Sequence, residues 1–431
     1  MKIKFILIFI FSTSILCFSQ NKTLIMGGTA HIGNGKIISP AAIIINDNII
    51  EDVLNIKNIK IDSSKYDTII NANGQHIYPG FIAPNSKIGI TEIDAVRATR
   101  DFREVGEFNP HIRSIIAYNT ESKIINTVTY NGVLIAQIAP QGNIITGKSS
   151  IVSFQAWNWE DAILKEDDGL HLNWPTTFIN KGWWGNQKDD EKSETYLEKI
   201  NKIQAFFNKA FAYYNNQKMI LYNDQIIDIK MEAMKGLFEG TKTLYIHANY
   251  VKDIQDAILF STSFKIKKIV IVGGDDALKA KKILKKYNIP IILNRIHSLP
   301  ATEDGDIDEF YKLPYELYKN NILFCLGYKG DMEAMGTRNL PFTAGTAHAF
   351  GLPKEIAISS ISLNTAKILD IDKYVGSIEK GKIATLFISS GDALDVKSNN
   401  VTCGIINGEF IDLINHQQKL YNKFYKKYNL K

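Results

Sequence analysis

Four polar side chains stand shortly after apolar runs of the sequence. They are Asn85, Lys87, His247 and Lys329. In an α/β barrel, the residues that follow the strands gather at one mouth, where such barrels carry out their chemistry. An imidazole such as that of His247 can bind a cation, but the ammonium groups of Lys87 and Lys329 would repel one at the same mouth. The two lysines suit an anionic ligand such as a carboxylate.

A further histidine and a group of tryptophans are additional candidates for ligand binding. His297 follows a predicted strand at 289–293, so it either binds substrate at the mouth or structures its own loop. All five tryptophans lie between residues 157 and 184. Trp157 and Trp159 come first, after a predicted strand, and aromatic side chains on loops are typical of a binding platform. The alternative is that the tryptophans pack the loops against the barrel.

Short apolar runs and helical patterns alternate through the middle of the chain, in the order that a parallel α/β barrel requires. Seven strands are predicted, at 77–82, 133–138, 149–154, 243–246, 268–272, 289–293 and 322–326. The remaining strand is expected between Trp157 and Met219, where the pattern is irregular. Helices are predicted at 253–260, 277–287 and 354–368, with a long amphipathic stretch at 194–214 on the outside. We therefore predict a (β/α)8 TIM-like barrel over residues 77–372.

The run Pro79-Gly80-Phe81-Ile82 resembles the first barrel strand of the amidohydrolase superfamily. The motif of that superfamily continues as Asp-x-His-x-His, with two metal-binding histidines. Ala83, Asn85 and Lys87 stand at those three positions here. The resemblance covers nearly the whole chain after its N-terminal segment and is closest to the imidazolonepropionase-like and dipeptidase-like branches. It implies hydrolysis of a C–N bond in an amide, a cyclic amide or a short peptide by metal-activated water.

Two segments near the chain ends resemble the halves of the β-sandwich that this superfamily places beside its barrel. They are residues 28–36 and 376–388. The Asn407-Gly408 pair between two apolar runs predicts a hairpin in the second half. A discontinuous β-sandwich is therefore expected from residues 20–76 and 373–415. Residues 416–431 are rich in lysine and predict a solvated basic tail helix, with a membrane-surface role as the alternative.

The resemblance also implies a set of metal ligands that the chain keeps only in part. His247 matches the strand-five ligand, whereas Gly273 stands at the strand-six histidine and Lys329 at the strand-eight aspartate. The site therefore holds either zinc or another divalent metal, as the resemblance implies, or no metal. With a metal, the protein is a hydrolase of C–N bonds. Without one, it is a catalytically silent binding protein (a pseudoenzyme) for an anionic small molecule or peptide, or a metal-free hydrolase with His247 or His297 as base.

Composition and the N-terminal segment indicate the setting of the protein. A formal net charge of +5 on 431 residues, with no basic stripe before the tail, argues against a nucleic-acid partner. Residues 1–19 combine two early lysines with an apolar run, which is typical of a secretory signal peptide, and lipidation at Cys17 is the alternative. A periplasmic or secreted protein is therefore expected. No later apolar stretch is long enough to span a bilayer.

Cys325 and Cys403 are too few for a disulfide framework and are expected to be buried thiols.

Overall fold

The computed structural model describes residues 21–177, 195–219, 227–300, 305–330 and 332–428. The predicted signal peptide at 1–19, as well as Trp183 and Trp184, lies outside these described residues. None of the helices described is both long and apolar enough to cross a membrane.

An eight-stranded sheet forms the centre of the fold. Barrel strands 1 to 8, as we number them, are Phe81–Ser86, Val133–Ile138, Ile145–Ser153, Ile163–Asn173, Thr243–Ala248, Ile269–Gly273, Ile291–Leu293 and Phe324–Leu326. Each strand pairs with the next. The sheet curls until its last strand reaches its first, since a Cβ placed on Gly327 would lie 3.7 Å from Cγ of Pro84. The architecture is therefore the predicted TIM-like barrel, and its fourth strand lies in the interval expected for the missing one.

The apolar run at 77–82 forms parts of two strands, where one barrel strand was predicted. The chain leaves its first sheet at Gly80, so that His76–Pro79 pairs in a smaller sheet and Phe81–Ser86 begins the barrel. A Cβ on Gly80 would lie only 2.9 Å from Cγ2 of Thr385. The crossing point between the two sheets therefore has room for glycine and for no larger residue.

Barrel strand 3 runs in the opposite direction to its neighbours, whereas a parallel strand was predicted. It pairs antiparallel with both strand 2 and strand 4. The links at 139–144 and 154–162 are short, and a parallel crossover requires about a dozen residues or more. The C-terminal end of strand 3 consequently lies at the opposite face of the barrel from the C-terminal ends of the other seven strands.

Two smaller sheets flank the barrel, and one of them combines both ends of the chain. The four-stranded sheet has the order Ile49–Asn55, Ala41–Asn46, Lys22–Met26, Thr68–Asn71. The six-stranded sheet has the order Glu409–Phe410, Val401–Ile406, Leu386–Ser389, His76–Pro79, Thr29–His31, Ile37–Ile38. Side chains from both sheets, among them Ile43, Ile77 and Leu386, form one buried cluster. Full burial of each such side chain contributes about 1.5–3 kcal/mol, which holds the chain ends together as the predicted discontinuous β-sandwich.

Helices cover the barrel. They span Lys123–Thr129, Trp159–Ala162, Tyr196–Met219, Ile229–Glu239, Val251–Ser263, Lys281–Tyr287, Glu309–Lys319, Glu333–Gly336, Leu340–Ala349, Lys354–Ser360, Leu363–Ile368 and His416–Lys427. Short 3-10 turns lie at Ser63–Lys65, Arg97–Thr99, Ser114–Ala117 and Thr337–Asn339. The helix predicted at 277–287 begins only at Lys281, and the one predicted at 354–368 is interrupted by Ile361 and Ser362.

Local sequence explains where individual helices begin and end. The carboxylate of Asp228 accepts hydrogen bonds from the backbone N–H groups of Lys230 and Met231 and so caps Ile229–Glu239. The same helix ends at Gly240, whose φ of 79° is left-handed and favours glycine.

Candidate functional site

Polar side chains converge inside the barrel towards the C-terminal ends of its strands. Apolar side chains such as Ile82 and Ile135 fill the interior nearer the other end. Side chains alternate along a strand, so Tyr245 and His247 face the same side. His171 of strand 4 lies in register with Tyr245, and the two rings stack with centroids 4.8 Å apart.

His171 and His247 form a directly bonded pair. Nδ1 of His171 lies 3.0 Å from Nε2 of His247. Burial, reinforced by the charge of Lys329, lowers the pKa of His171 to about 3. The pKa of His247 is also well below its usual value, because of burial first, then Lys329 and then His171. Both imidazoles are therefore neutral near pH 7.

The outer nitrogens of this pair are unpartnered. Nε2 of His171 and Nδ1 of His247 are buried and have no hydrogen-bond partner. Each neutral ring carries a single N–H. One ring donates its N–H to the other ring, so its own outer nitrogen is a bare acceptor. The second ring accepts that bond and carries its N–H on its outer nitrogen. The pair therefore offers one donor and one acceptor to its surroundings.

A cavity of about 120 Å³ lies beside His247. It is lined by Trp174, Thr176, His247, Ala248, Asn249, Tyr250, Asp253, Val272, Asn294 and Lys329. Two of these side chains are held by neighbouring residues: the indole N–H of Trp174 donates to the hydroxyl of Tyr196, and Asp253 accepts two hydrogen bonds from Thr177. The charged groups on the wall are thus the ammonium of Lys329, three residues after strand 8, and the carboxylate of Asp253, from the helix after strand 5.

Lys87 is not among the residues that line this cavity, although its charge and that of Lys329 both act on the carboxyl of Glu333. Its ammonium lies 3.7 Å from a carboxylate oxygen of Asp94 and 3.9 Å from one of Glu333. It also lies 4.8 Å from the ring centroid of Phe102. Lys87 is buried, and its charge is already balanced by carboxylates, so it is a structural ion-pair residue.

The partner carboxylate of Lys87 is itself in an unusual environment. Glu333 is 1% exposed, and its Oε1 atom has no hydrogen-bond partner. The side-chain amide of Gln141 donates to Oε2 over 3.2 Å. Burial raises the pKa of Glu333 to about 7, against the opposing charges of Lys87 and then Lys329.

Asn85 lies at the end of barrel strand 1 in a left-handed conformation, with φ of 49°. Its backbone N–H donates to Oε1 of Gln137, and its side-chain amide lies 3.4 Å from Oδ1 of Asn294. Asn294 lines the cavity. Asn85 therefore supports the wall and is not itself part of it.

A buried polar network that the sequence pattern did not predict lies beneath the histidine pair. Asp168 accepts hydrogen bonds from Ser149 over 2.6 Å, from the hydroxyl of Tyr245 over 2.6 Å and from Gln137 over 2.9 Å. Burial raises the pKa of Asp168 despite these donors. Asp168 and His171 both belong to the strand that was not located. The signal that could have found it is the alternation of Gly169-Leu170-His171-Leu172.

His297 has a structural role and does not line the cavity. Its Nε2 atom lies 2.8 Å from the hydroxyl oxygen of Thr346, on the helix Leu340–Ala349. Its ring also packs edge-on against Tyr311. Of the two roles that the sequence left open, the contacts favour the structural one.

Trp157 and Trp159 lie at the far end of the barrel from the cavity. They follow strand 3, which is antiparallel, and the N–H of Phe154 already donates to Leu134 near the start of strand 2. Trp157 is 92% exposed there. The expectation that these tryptophans reach the mouth is therefore wrong, because strand 3 runs in the direction opposite to the predicted one. Trp174, at the end of strand 4, is the cavity tryptophan among the described residues.

The described residues include no group of three or more His, Cys, Asp or Glu side chains that could hold a metal ion.

Comparisons with known proteins agree with this architecture. Residues 231–411 match the sequence model of the amidohydrolase family. An amidohydrolase from Thermotoga maritima MSB8 superposes with a TM-score of 0.80 at 23% identity, over 90% of this chain and 99% of that one. No curated protein matches the sequence.

More distant solved structures share the fold with lower similarity. A Xaa-Pro dipeptidase with methionine bound in its active site has a TM-score of 0.55 at 15% identity, over 91% of this chain and 100% of the other. Molinate hydrolase has a TM-score of 0.51 at 14% identity, over 92% of this chain and 96% of the other. The family model thus confirms the predicted resemblance over residues 231–411, and the solved structures share the fold.

Proposed function

Because residues 231–411 match the amidohydrolase family and the chain has the fold of that superfamily, we propose that its barrel mouth binds a small anionic amide or short peptide without the help of a metal. The observation that carries this proposal is the position of Lys329 on the cavity wall beside His247. An ammonium next to two neutral imidazoles favours a negatively charged group.

The donor set at the family's ligand positions does not fit a divalent metal. Asn85 and Lys87 stand where the resemblance implies two histidines, and Lys329 stands where it implies an aspartate. A charged ammonium has no lone pair to offer and repels a cation. The histidine pair leaves only one bare nitrogen facing outward. These replacements support a site that works by hydrogen bonding and charge.

The rest of the cavity wall suits the polar parts of an amide or a peptide. Asn249 and Asn294 carry side-chain amides that both donate and accept hydrogen bonds. Trp174 and Tyr250 add aromatic surface on the same wall. Small-molecule sites commonly combine such apolar surface with a few oriented polar groups.

Calorimetric titration tests the proposal with N-acetylglycine as the anionic probe and N-acetylglycinamide as its neutral counterpart. We expect the carboxylate to bind at least about tenfold more tightly than the amide, and Lys329→Gln to remove that preference, since one lost charged hydrogen bond is worth about 1.5–3 kcal/mol. Lys282→Gln, an exposed lysine outside the cavity, is the matched control. Equal affinity for both probes in the wild-type protein would contradict the proposal.

A second function is favoured by the neutral imidazole of His247, which lines the cavity and whose Nδ1 atom is buried without a hydrogen-bond partner. A neutral imidazole can accept a proton from a water that attacks the carbonyl carbon, and can return it to the amine that leaves when the C–N bond breaks. We therefore propose metal-free hydrolysis of an amide, cyclic amide or short peptide as the alternative. Hydrolysis of a dipeptide and amide panel that survives a chelator and is abolished by His247→Gln would support it. Activity that appears only on addition of zinc would contradict both proposals.

A further inference from the structure

The C-terminal helix His416–Lys427 lies on the outside of the protein with all of its side chains at least partly exposed. Asn415 and Gln418 form a capping box at its start, so the helix has a strong local signal. Gln417 contacts Thr127, at 3.3 Å between the side-chain oxygens, and so attaches the helix to Lys123–Thr129. The helix is therefore anchored near its beginning and presents most of its length to the surroundings.

Two distinct faces run along this helix. Its exposed apolar and aromatic side chains are Leu420 at 40%, Tyr421 at 63%, Phe424 at 45% and, just past its end, Tyr428 at 61% exposure. At about 100° per residue these four positions span an arc of about 100°. The lysines at 419, 423, 426 and 427 occupy a separate arc of similar width. The helix is thus amphipathic, yet the described part of the protein does not cover its apolar face.

The tail carries the entire net charge of the protein. The chain has 50 basic and 45 acidic residues, and residues 416–431 contain five lysines without any aspartate or glutamate. The remainder of the sequence therefore has 45 residues of each sign and is neutral overall. Four of these lysines lie on the exposed helix His416–Lys427, and such a concentration of charge attracts an anionic surface.

We propose that this helix docks the protein onto an anionic lipid surface. Aromatic and leucine side chains would enter the boundary between headgroups and acyl chains, while the lysines reach the headgroups along their aliphatic stems. A second copy of the chain is a poorer occupant because it would bring an equally positive tail against the first. The proposal is independent of the function of the barrel mouth.

Co-sedimentation of the protein with vesicles tests this proposal. The wild-type protein is expected to bind mixed vesicles of phosphatidylglycerol and phosphatidylcholine, and to bind pure phosphatidylcholine vesicles at least about tenfold more weakly. The variant K419Q/K423Q/K426Q/K427Q should lose at least about tenfold in affinity for the anionic vesicles, and added salt should weaken the wild-type protein likewise. L420S/F424S should also bind more weakly, because it removes the inserted apolar surface.

The helix Lys281–Tyr287 supplies a matched control. The variant K281Q/K282Q/K285Q/K286Q removes the same number of charges from another helix and should leave vesicle binding close to that of the wild type. An equal loss in this control would overturn the proposal, since binding would then follow total charge. The proposal would also be overturned if the tail variants bound vesicles as well as the wild type does. The same holds if the wild-type protein did not bind vesicles and instead formed tail-dependent dimers in solution. Circular dichroism checks that each variant remains folded.

Discussion

Nδ1 of His171 lies 3.0 Å from Nε2 of His247, and this contact joins barrel strands 4 and 5 at the base of the cavity. Lys329 lowers the pKa of both rings in addition to the effect of burial. The pair is therefore a neutral hydrogen-bonding unit beside an ammonium.

The histidine pair predicts a loss of stability in acid. A histidine with a lowered pKa in the folded state takes up its proton more readily when the chain is unfolded. The stability contributed by His171 is therefore complete above pH 6.5 and is lost as the pH falls from 6.5 towards 3. We expect His171→Gln to lessen this loss by about 1.4 kcal/mol per pH unit in urea unfolding between pH 6.5 and 4. His416→Gln, on the exposed tail helix, should leave the slope unchanged, and parallel curves for wild type and H171Q would refute the assignment.

Glu333 predicts the opposite dependence. A carboxyl with a raised pKa holds its proton more firmly in the folded state, so its contribution is complete below pH 4.5 and is lost as the pH rises from 4.5 to about 7. Glu333→Gln should therefore reduce the loss of unfolding free energy over this range, by up to about 1.4 kcal/mol per pH unit. The measurement is urea unfolding across the range, with the exposed Glu239→Gln as control. A slope in E333Q that equals that of the wild type would show that Glu333 does not titrate there.

Asp168 is expected to be indispensable for the barrel interior. Its carboxylate accepts from Ser149, Tyr245 and Gln137. Asp168→Ala leaves these donors buried without their partner, so we expect a loss of about 3–5 kcal/mol in unfolding free energy. Ser149→Ala removes one donor to Asp168 and one acceptor for Gln137, whose amide still donates to Asp168, and should cost about 1 kcal/mol. Similar losses in the two variants, measured by urea unfolding, would contradict the importance of the carboxylate.

His297 and His247 are expected to respond differently to substitution. His297→Gln removes the hydrogen bond with Thr346 and should lower the unfolding free energy by about 1 kcal/mol while leaving the affinity for N-acetylglycine unchanged. His247→Gln alters the cavity wall and should change that affinity. Calorimetric titration of both variants decides the matter, and a loss of affinity in H297Q alone would reverse the roles assigned here.

Local sequence patterns were sufficient to predict the barrel and the β-sandwich. The run at 77–82, which the structure divides between sandwich and barrel, and six later apolar runs predicted the positions of seven of the eight barrel strands. The sandwich followed from segments at both chain ends. These features are predictable because strand and turn preferences depend on residues that are close in the sequence. The same reasoning placed His247 and Lys329 at the mouth, where both line the cavity.

Other features of the structure depend on contacts between residues that are far apart in the sequence. Asp94 lies seven residues from Lys87, but the second ion-pair partner of Lys87 could not be found from nearby sequence, because Glu333 reaches it only once strand 8 closes against strand 1. The direction of strand 3, which removes Trp157 from the mouth, is set by its pairing with strands 2 and 4.

The sequence by itself thus determined the class of barrel and the positions of seven of its strands. Only the tertiary structure decided which of those side chains share a cavity and which already have partners. The physical reason is that charge balance and hydrogen bonding are set by distances of 3–4 Å between strands, and those distances exist only after the barrel has closed.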